Sequence, residues 1–285
     1  QARSWYTKKT SSSAKMAPNY SARARRPNCL FYEVAEVKLP FTLDQGAAAK
    51  AAFGVIILQA DETLESEFAG LFDQPGLALY HTRIPSGAEV TQESLARMER
   101  EMPHAAALLP SARDLDVVAY ACTSGATIIG PEKVAGAIHT VHPKAKTTDP
   151  LSAVIAACRH FGIRNLGVVS PYVAEVCTAM NDLLEQNGLT IAAFGSFEQS
   201  EEAVVARITP QSAHDAICAI GRNDAVDAVF ASCTNLRTFE IIDSAEAAIG
   251  KPVITSNQAL AWHMLTLADV ATENLGPGML FRGRP

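Results

Sequence analysis

Two cysteines carry the chemistry that this sequence can do. Cys122 falls near the end of Asp116-Val117-Val118-Ala119-Tyr120-Ala121-Cys122-Thr123, and Cys233 near the end of a second copy, Asp227-Ala228-Val229-Phe230-Ala231-Ser232-Cys233-Thr234. Four of the eight positions are identical, Cys-Thr among them. Two thiols on opposite faces of one small molecule can invert a carbon centre: one, as thiolate, removes a proton, and the other, as thiol, returns a proton to the opposite face. The same pair could instead add to a double bond, allow rotation and eliminate. Neither scheme requires a metal or an organic cofactor. In both, one thiol must be charged and the other not, so their titrations are coupled.

A lone cysteine at a strand end is more often a small buried hydrophobe than a reagent. The duplication tells against that reading here. Gly54-Val55-Ile56-Ile57 and Gly167-Val168-Val169-Ser170 form a second echo, at nearly the same offset as the first, so that the interval from Gly54 to Cys122 almost equals that from Gly167 to Cys233. Two copies of one unit give that pattern. Each cysteine is placed where an apolar strand gives way to a helix, so free N–H groups and a partial positive charge are expected to lower the thiol pKa. Thr123, Ser124 and Gly125 in one copy, and Thr234 and Asn235 in the other, are suited to cradling an anion such as a substrate carboxylate. Phosphate would fit as well, but the sequence holds no Walker pattern.

The elements that must position these residues alternate. Up to Phe161 the chain reads as strand Gly54–Leu58, helix Leu64–Leu71, strand Leu77–Thr82, helix Thr91–Leu109, strand Val117–Ala121, helix Thr127–His139, strand Lys144–Thr148 and helix Leu151–Phe161, the last started by Asp149-Pro150. From Leu166 the order repeats: strand Leu166–Ser170, helix Val173–Asn187, strand Thr190–Phe194, helix Pro210–Gly221, the second cysteine strand, helix Leu236–Ile249, strand Pro252–Ser256 and helix Gln258–Ala268. Short connections between alternating strands and helices predict an α/β fold of two pseudo-symmetric halves, each a parallel sheet flanked by helices, with the active site in the cleft between them. Residues 51–150 form the first half, completed by the C-terminal helix 257–268; residues 151–256 form the second, and 269–285 a Gly/Pro-rich tail.

Residues 1–50 read as a flexible basic leader and lead-in segment, with seven basic residues and no acidic one before Glu33. That composition is compatible with an organelle transit peptide, with an artefactual extension, or with a true start at Met16. The 285 residues, 48% hydrophobic, can bury a substantial core. A net charge of −6 without a basic stripe excludes a nucleic-acid grip, and no apolar run approaches the roughly 18 residues of a membrane span. Six cysteines without Cys-x-x-Cys spacing argue against a metal site or a disulfide scaffold and for a reducing, cytoplasmic setting. Cys158, Cys177 and Cys218 are expected to be buried helix residues. His139 and His142 are expected to cap a helix or lie on the surface.

With these residues in place, the sequence resembles the aspartate/glutamate racemase superfamily, in the branch of maleate cis-trans isomerase and arylmalonate decarboxylase. The resemblance runs from about Ala52 to Ala268. It is carried by Ala121-Cys122-Thr123-Ser124-Gly125, by Ser232-Cys233-Thr234-Asn235-Leu236-Arg237 and by Val169-Ser170-Pro171-Tyr172. It implies two pseudo-symmetric domains, no cofactor, a small carboxylate or amino-acid substrate and a homo-oligomer. Cys122 then matches the nucleophile or first acid/base, Cys233 its partner, and Tyr172 a ligand to a substrate carboxylate, although Tyr172 could equally be a helix-start residue packing its ring. Arylmalonate decarboxylases keep only the second cysteine, so the presence of both implies isomerisation or racemisation. One departure stands out: the maleate isomerases have an asparagine where this sequence has Asp61. An ionised aspartate repels a carboxylate and favours an ammonium group; Asp61 could also simply cap the following helix. A second asparagine of the isomerases has no clear match between Phe197 and Ala203. The runs Leu58–Thr63 and Pro277–Phe281 are similar to the ectoine-utilisation branch, which implies an amino acid from ectoine breakdown as substrate.

Two other classes remain open on sequence grounds. Two α/β lobes around a cleft also describe non-catalytic small-molecule receptors, which have no need of activated thiols. A nucleotide-dependent transferase has no supporting motif.

Overall fold

The computed structural model describes residues 38–87 and 91–283. The basic leader before Lys38, with Cys29, lies outside the described residues. Residues 38–42 are exposed and carry no regular structure. From residue 43 the chain forms an α/β body whose first half contains β1 (Ala51–Leu58), α1 (Leu64–Phe68), β2 (Leu77–Ile84), α2 (Gln92–Ala106), β3 (Val117–Ala121), α3 (Thr123–Ile129), α4 (Pro131–His139), β4 (Lys146–Thr148) and α5 (Pro150–Phe161). The second contains β5 (Asn165–Tyr172), α6 (Ala174–Gln186), β6 (Thr190–Gln199), α7 (Glu202–Val205), α8 (Pro210–Gly221), β7 (Ala228–Ala231), a 3-10 turn (Phe239–Ile241), α9 (Ile242–Ile249), β8 (Val253–Thr255), α10 (Ser256–Leu267) and α11 (Met279–Arg282).

All strand pairs are parallel, in two four-stranded sheets ordered β2-β1-β3-β4 and β6-β5-β7-β8. The two orders are one order, read twice. The duplication reaches individual contacts. Gly54 pairs with Val118 and Gly167 with Val229, and Val229 follows Val118 at the interval that separates the two cysteines. Asp116 Oδ2 accepts the Ala52 N–H at 2.7 Å, while Asp227 Oδ2 accepts the Asn165 N–H at 2.8 Å. Each aspartate thus clamps its cysteine strand to the first strand of its own sheet.

The central strands are buried over their whole length, as strands covered on both faces must be. One core joins the sheets: Phe53 and Val55 of β1, Leu151 and Val154 of α5, Leu166 and Val168 of β5, Phe230 of β7 and Leu260 and Leu265 of α10 belong to one buried cluster. α5 begins sharply because Asp149 Oδ1 accepts the Leu151 and Ser152 N–H groups and Pro150 needs no partner; it ends at Gly162, whose φ of 73° suits glycine. α10 is capped by the reciprocal Thr255–Gln258 pair and is buried over nearly its whole length.

The structure departs from the sequence reading at three elements. The single helix expected over Thr127–His139 is two, because Gly130 takes φ 90° and Pro131 starts a new helix. The helix expected from Leu236 is delayed to Ile242: the Thr238 and Phe239 N–H groups are held instead by Glu67 Oε1, at 2.7 and 2.9 Å. The Gly/Pro-rich tail is packed through α11, with Leu280 and Phe281 buried. Cys158, Cys177 and Cys218 are buried in helices as expected. His142, expected at the surface or as a cap, is buried with its ring on the Ala106 carbonyl at 2.9 Å, and His139 meets the Ala145 carbonyl.

Candidate active site

The carboxyl ends of the strands bring the expected residues together. Cys122 follows β3, Tyr172 ends β5, Cys233 lies just beyond β7, and Asp61 sits shortly after β1. Cys122 is 3% and Cys233 4% exposed. Cys122 occupies the N-cap of α3 in extended conformation, and its Sγ accepts the Gly125 N–H at 3.1 Å. Gly125 fits only as glycine, since a Cβ there would lie 2.3 Å from the Tyr120 hydroxyl and 3.0 Å from the Cys122 sulfur.

Cys233 is built differently. No helix starts after it, which corrects the expectation of a matching helix N-terminus; residues 234–238 are turn and loop. Its φ is 117°, a conformation in which an L side chain is strained. Its Sγ accepts the Asn235 N–H at 3.3 Å and lies 3.0 Å from the Tyr172 hydroxyl. Thus the N–H groups at Gly125 and Asn235, read from the sequence as part of an anion cradle, are turned to the two sulfurs.

The expected lowering of the thiol pKa values is overturned as well. Burial, and then the charge of Glu202, push Cys122 up to about 12, outweighing the Gly125 N–H and the Ser124 hydroxyl, which pull the other way. Burial and Glu202 likewise raise Cys233 well above the ordinary thiol range, against the Tyr172 hydroxyl and the Asn235 N–H, and Asp61 adds to the rise. Desolvation of a thiolate wins because both sulfurs are buried and the strongest charge acting on them is the negative one of Glu202. Both thiols therefore rest protonated near neutral pH.

Polar contacts stitch the halves together at this point. Ser256 Oγ accepts the Cys233 N–H at 2.9 Å and meets Thr123 Oγ1 at 2.8 Å, so one hydroxyl fixes both cysteine loops. Thr234 Oγ1 is directed at the Ala121 carbonyl at 3.4 Å, and Ser124 Oγ lies 3.6 Å from the Cys122 sulfur. Asn235 Oδ1 accepts the Glu62 N–H at 2.9 Å, and its carbonyl accepts the Thr63 hydroxyl at 3.0 Å. Tyr172 is part of a strand end, not a helix start, and its buried hydroxyl donates to Glu202 Oε1 at 2.9 Å.

Asp61 answers to both sequence readings. Its Oδ1 accepts the Thr63 and Leu64 N–H groups, each at 2.8 Å, and so caps the entrance of α1. Its Oδ2 is buried with no hydrogen bond of good geometry among the described residues; the Thr234 hydroxyl is close enough to pull the Asp61 pKa down but is directed at the Ala121 carbonyl at 3.4 Å. Burial is the main cause that raises the Asp61 pKa; the N–H groups of Leu64 and Thr63 oppose it.

Sequence reasoning missed Glu202 and Ser256. Glu202 is 5% exposed, held by Tyr172 and by the Asn235 amide, which donates to Oε2 at 2.8 Å. It falls inside the window 197–203 in which no match for the isomerases' second asparagine could be placed. An acidic residue leading into a short stretch rich in Ala and Val was the available signal. Ser256 follows the fourth strand of the second sheet, where the strand-end rule could have found it. Among the described residues, no group of three or more His, Cys, Asp or Glu is arranged to hold a metal ion, and no helix is long and apolar enough to cross a membrane.

Two like-wound parallel sheets with a thiol after the third strand of each place the fold in the aspartate/glutamate racemase-like superfamily. The arylmalonate decarboxylase (Amdase) family model matches residues 86–281, and the chain belongs to that family. Maleate isomerase of Pseudomonas putida KT2440 is 22% identical over 242 residues, covering 81% of this chain and 96% of that protein. The crystal structure of the maleate isomerase Iso from Pseudomonas putida S16 superposes with a TM-score of 0.74 at 26% identity, covering 82% of this chain and 98% of that one. A cysteine-to-serine mutant of the Nocardia farcinica maleate cis-trans isomerase, solved with a covalently bound succinylcysteine intermediate, has a TM-score of 0.73 at 22% identity, over 82% and 99% of the two chains.

Proposed function

We propose that this protein is a cofactor-independent racemase or isomerase of a small carboxylic acid, favouring an amino-acid substrate, with Cys122 and Cys233 as its acid/base pair. The observation that carries the amino-acid reading is the buried Asp61 Oδ2, which lacks a well-formed hydrogen bond among the described residues and whose charge acts on Cys233. A buried carboxylate oxygen without a donor is costly unless a ligand supplies one. An ammonium group supplies three. The Glu202 carboxylate is the strongest charge acting on both thiols, and Asp61 adds to it at Cys233; a dianionic substrate would meet repulsion there, a zwitterion an ion pair. With the ammonium on Asp61, one thiolate takes the α-proton and the other thiol protonates the opposite face. The Thr123, Ser124 and Thr234 hydroxyls supply the polar lining for the carboxylate, while Asn235, its amide committed to Glu62 and Glu202, orders the loop around it.

A second reading, maleate cis-trans isomerisation, is favoured by the relatives, among them the Nocardia protein with its covalently bound succinylcysteine intermediate. An amino acid of the kind met in ectoine breakdown remains the favoured substrate within the first reading; in the structure the Pro277–Phe281 run packs, its Pro277 carbonyl accepting from Gln258 and Leu280 and Phe281 buried.

The deciding experiment is deuterium incorporation at the α-carbon of small amino acids, N-acetylated diaminobutyrates included, measured in heavy water alongside conversion of maleate to fumarate. Exchange that falls by at least about a hundredfold in both Cys122→Ser and Cys233→Ser is expected, on the general scale of acid–base catalysis. Efficient maleate conversion with every amino acid untouched would move the assignment to the second reading.

A further inference from the structure

Glu202 has no part in the two-thiol scheme, yet it is the strongest charge acting on both thiols after burial. The contacts around it form a chain. Tyr172 donates its hydroxyl proton to Glu202 Oε1 at 2.9 Å, and the same hydroxyl oxygen lies 3.0 Å from Cys233 Sγ. A phenol has one proton. With that proton committed to Glu202, the phenol oxygen is an acceptor toward Cys233, so the S–H is the donor. Among the described residues, the hydrogen-bond partners of the Cys233 sulfur are Tyr172 and the Asn235 N–H. Among the described residues Cys122 has no corresponding route to a carboxylate: its sulfur meets the Gly125 N–H and the Ser124 and Tyr120 hydroxyls, and Tyr120 donates to the Met98 sulfur rather than to an acid.

We propose that Glu202 is the base that activates Cys233, with Tyr172 as the relay between them. The proton leaves Sγ for Oη as the phenolic proton leaves Oη for Oε1. The S–H bond breaks, one O–H bond is exchanged at the phenol, and one O–H bond forms on the carboxyl. The products are a thiolate, an intact phenol and a neutral acid, with no change in net charge.

That last property is the physical reason for such a device. Losing a proton to solvent would add a third negative charge to a buried site that already holds Glu202 and Asp61, whereas the relay moves a charge within it. The titratable groups acting on Cys233 are Tyr172 from β5, Glu202 from α7 and Asp61 from the loop after β1; of these, Glu202 alone is linked to the sulfur through a hydrogen-bonded proton carrier. Asn235, which holds Oε2 at 2.8 Å while giving its own N–H to the sulfur, positions both ends.

The proposal rests on Cys233 being a reactive thiol, as in the function proposed above, but its test needs no substrate. The rate of iodoacetamide alkylation at Cys233 and at Cys122 is followed by site-resolved mass spectrometry from mildly acidic to mildly alkaline pH, for wild type, Glu202→Gln and Tyr172→Phe. Without a relay, a protonated thiol gains reactivity about tenfold per pH unit, because only the thiolate attacks. With one, Cys233 keeps a pH-independent plateau across the neutral range. The expected result is a plateau at Cys233 in wild type that both variants replace by the tenfold slope, at least about tenfold slower at neutral pH, while the Cys122 profile keeps its slope throughout. A Cys233 that reacts faster in Glu202→Gln with the slope unchanged would overturn the proposal, showing Glu202 to be only a repelling charge. Unchanged profiles in Tyr172→Phe would overturn it too. A plateau without turnover of any tested substrate would leave the relay standing and count against the proposed function.

Discussion

At the scale of single residues, Asp61 is where the substrate question can be tested most directly. Asp61→Asn keeps an oxygen for the Thr63 and Leu64 N–H groups and removes the charge at Oδ2, so folding should change little. An ion-paired hydrogen bond contributes about 1.5–3 kcal/mol, and its loss is expected to lower kcat/KM for an amino-acid substrate by roughly ten- to a hundredfold, while any maleate turnover rises. Steady-state kinetics on both substrates, with a melting curve as control, checks it. The cysteines, Tyr172, Asp61 and the Thr and Asn after the thiols were legible because each follows an apolar run, where a strand must end. Glu202 was not: it belongs to a four-residue helix, and its importance comes from a tyrosine well before it in the chain and an asparagine well after it. The direction of the thiol pKa shifts was misread for a related reason. A helix start is visible in sequence, but the burial and the carboxylate that outweigh it are properties of the assembled site.

Among the elements, the strand starts give the clearest measure of the internal duplication. A Cβ at Gly54 would stand 2.7 Å from Leu109 and 3.1 Å from Leu115; at Gly167 it would stand 2.6 Å from Ile220 and 3.1 Å from Val226. Ile220 follows Leu109, and Val226 follows Leu115, at the same interval by which Cys233 follows Cys122. Gly54→Ala and Gly167→Ala are therefore expected to destabilise the protein by similar amounts, about 1–3 kcal/mol each by overpacking, as read from urea denaturation midpoints. Unequal losses would mean that the halves have drifted apart in packing. Strands were easier to read than the helix after Cys233, because a buried parallel strand is decided by its own apolar run. Where that helix begins depends on Glu67, far back in the first half, which takes the N–H groups that a helix would have used.

For the molecule as a whole, Glu67 links α1 to the 3-10 turn of the second half and to Asn257 of α10, whose amide donates to it at 2.7 Å. Burial, opposed by these same donors, raises its pKa from 4.5 to about 7. The folded form thus binds this proton more tightly than the unfolded chain, and the stability it confers is lost as pH rises from about 4.5 through 7. A decline of up to about 3 kcal/mol between about pH 5 and 8 is expected from this group, and Glu67→Gln should remove most of that slope in urea titrations across the same range. The enclosure of the two sulfurs, at 3% and 4% exposure, reaches beyond this reaction. Oxidation of cysteine follows thiolate character and access, and the resting site offers peroxide little of either. Damage should accumulate when the site opens and a thiolate forms, so that the working enzyme ages while the idle one keeps, and a saturating ligand that does not react would act as a preservative.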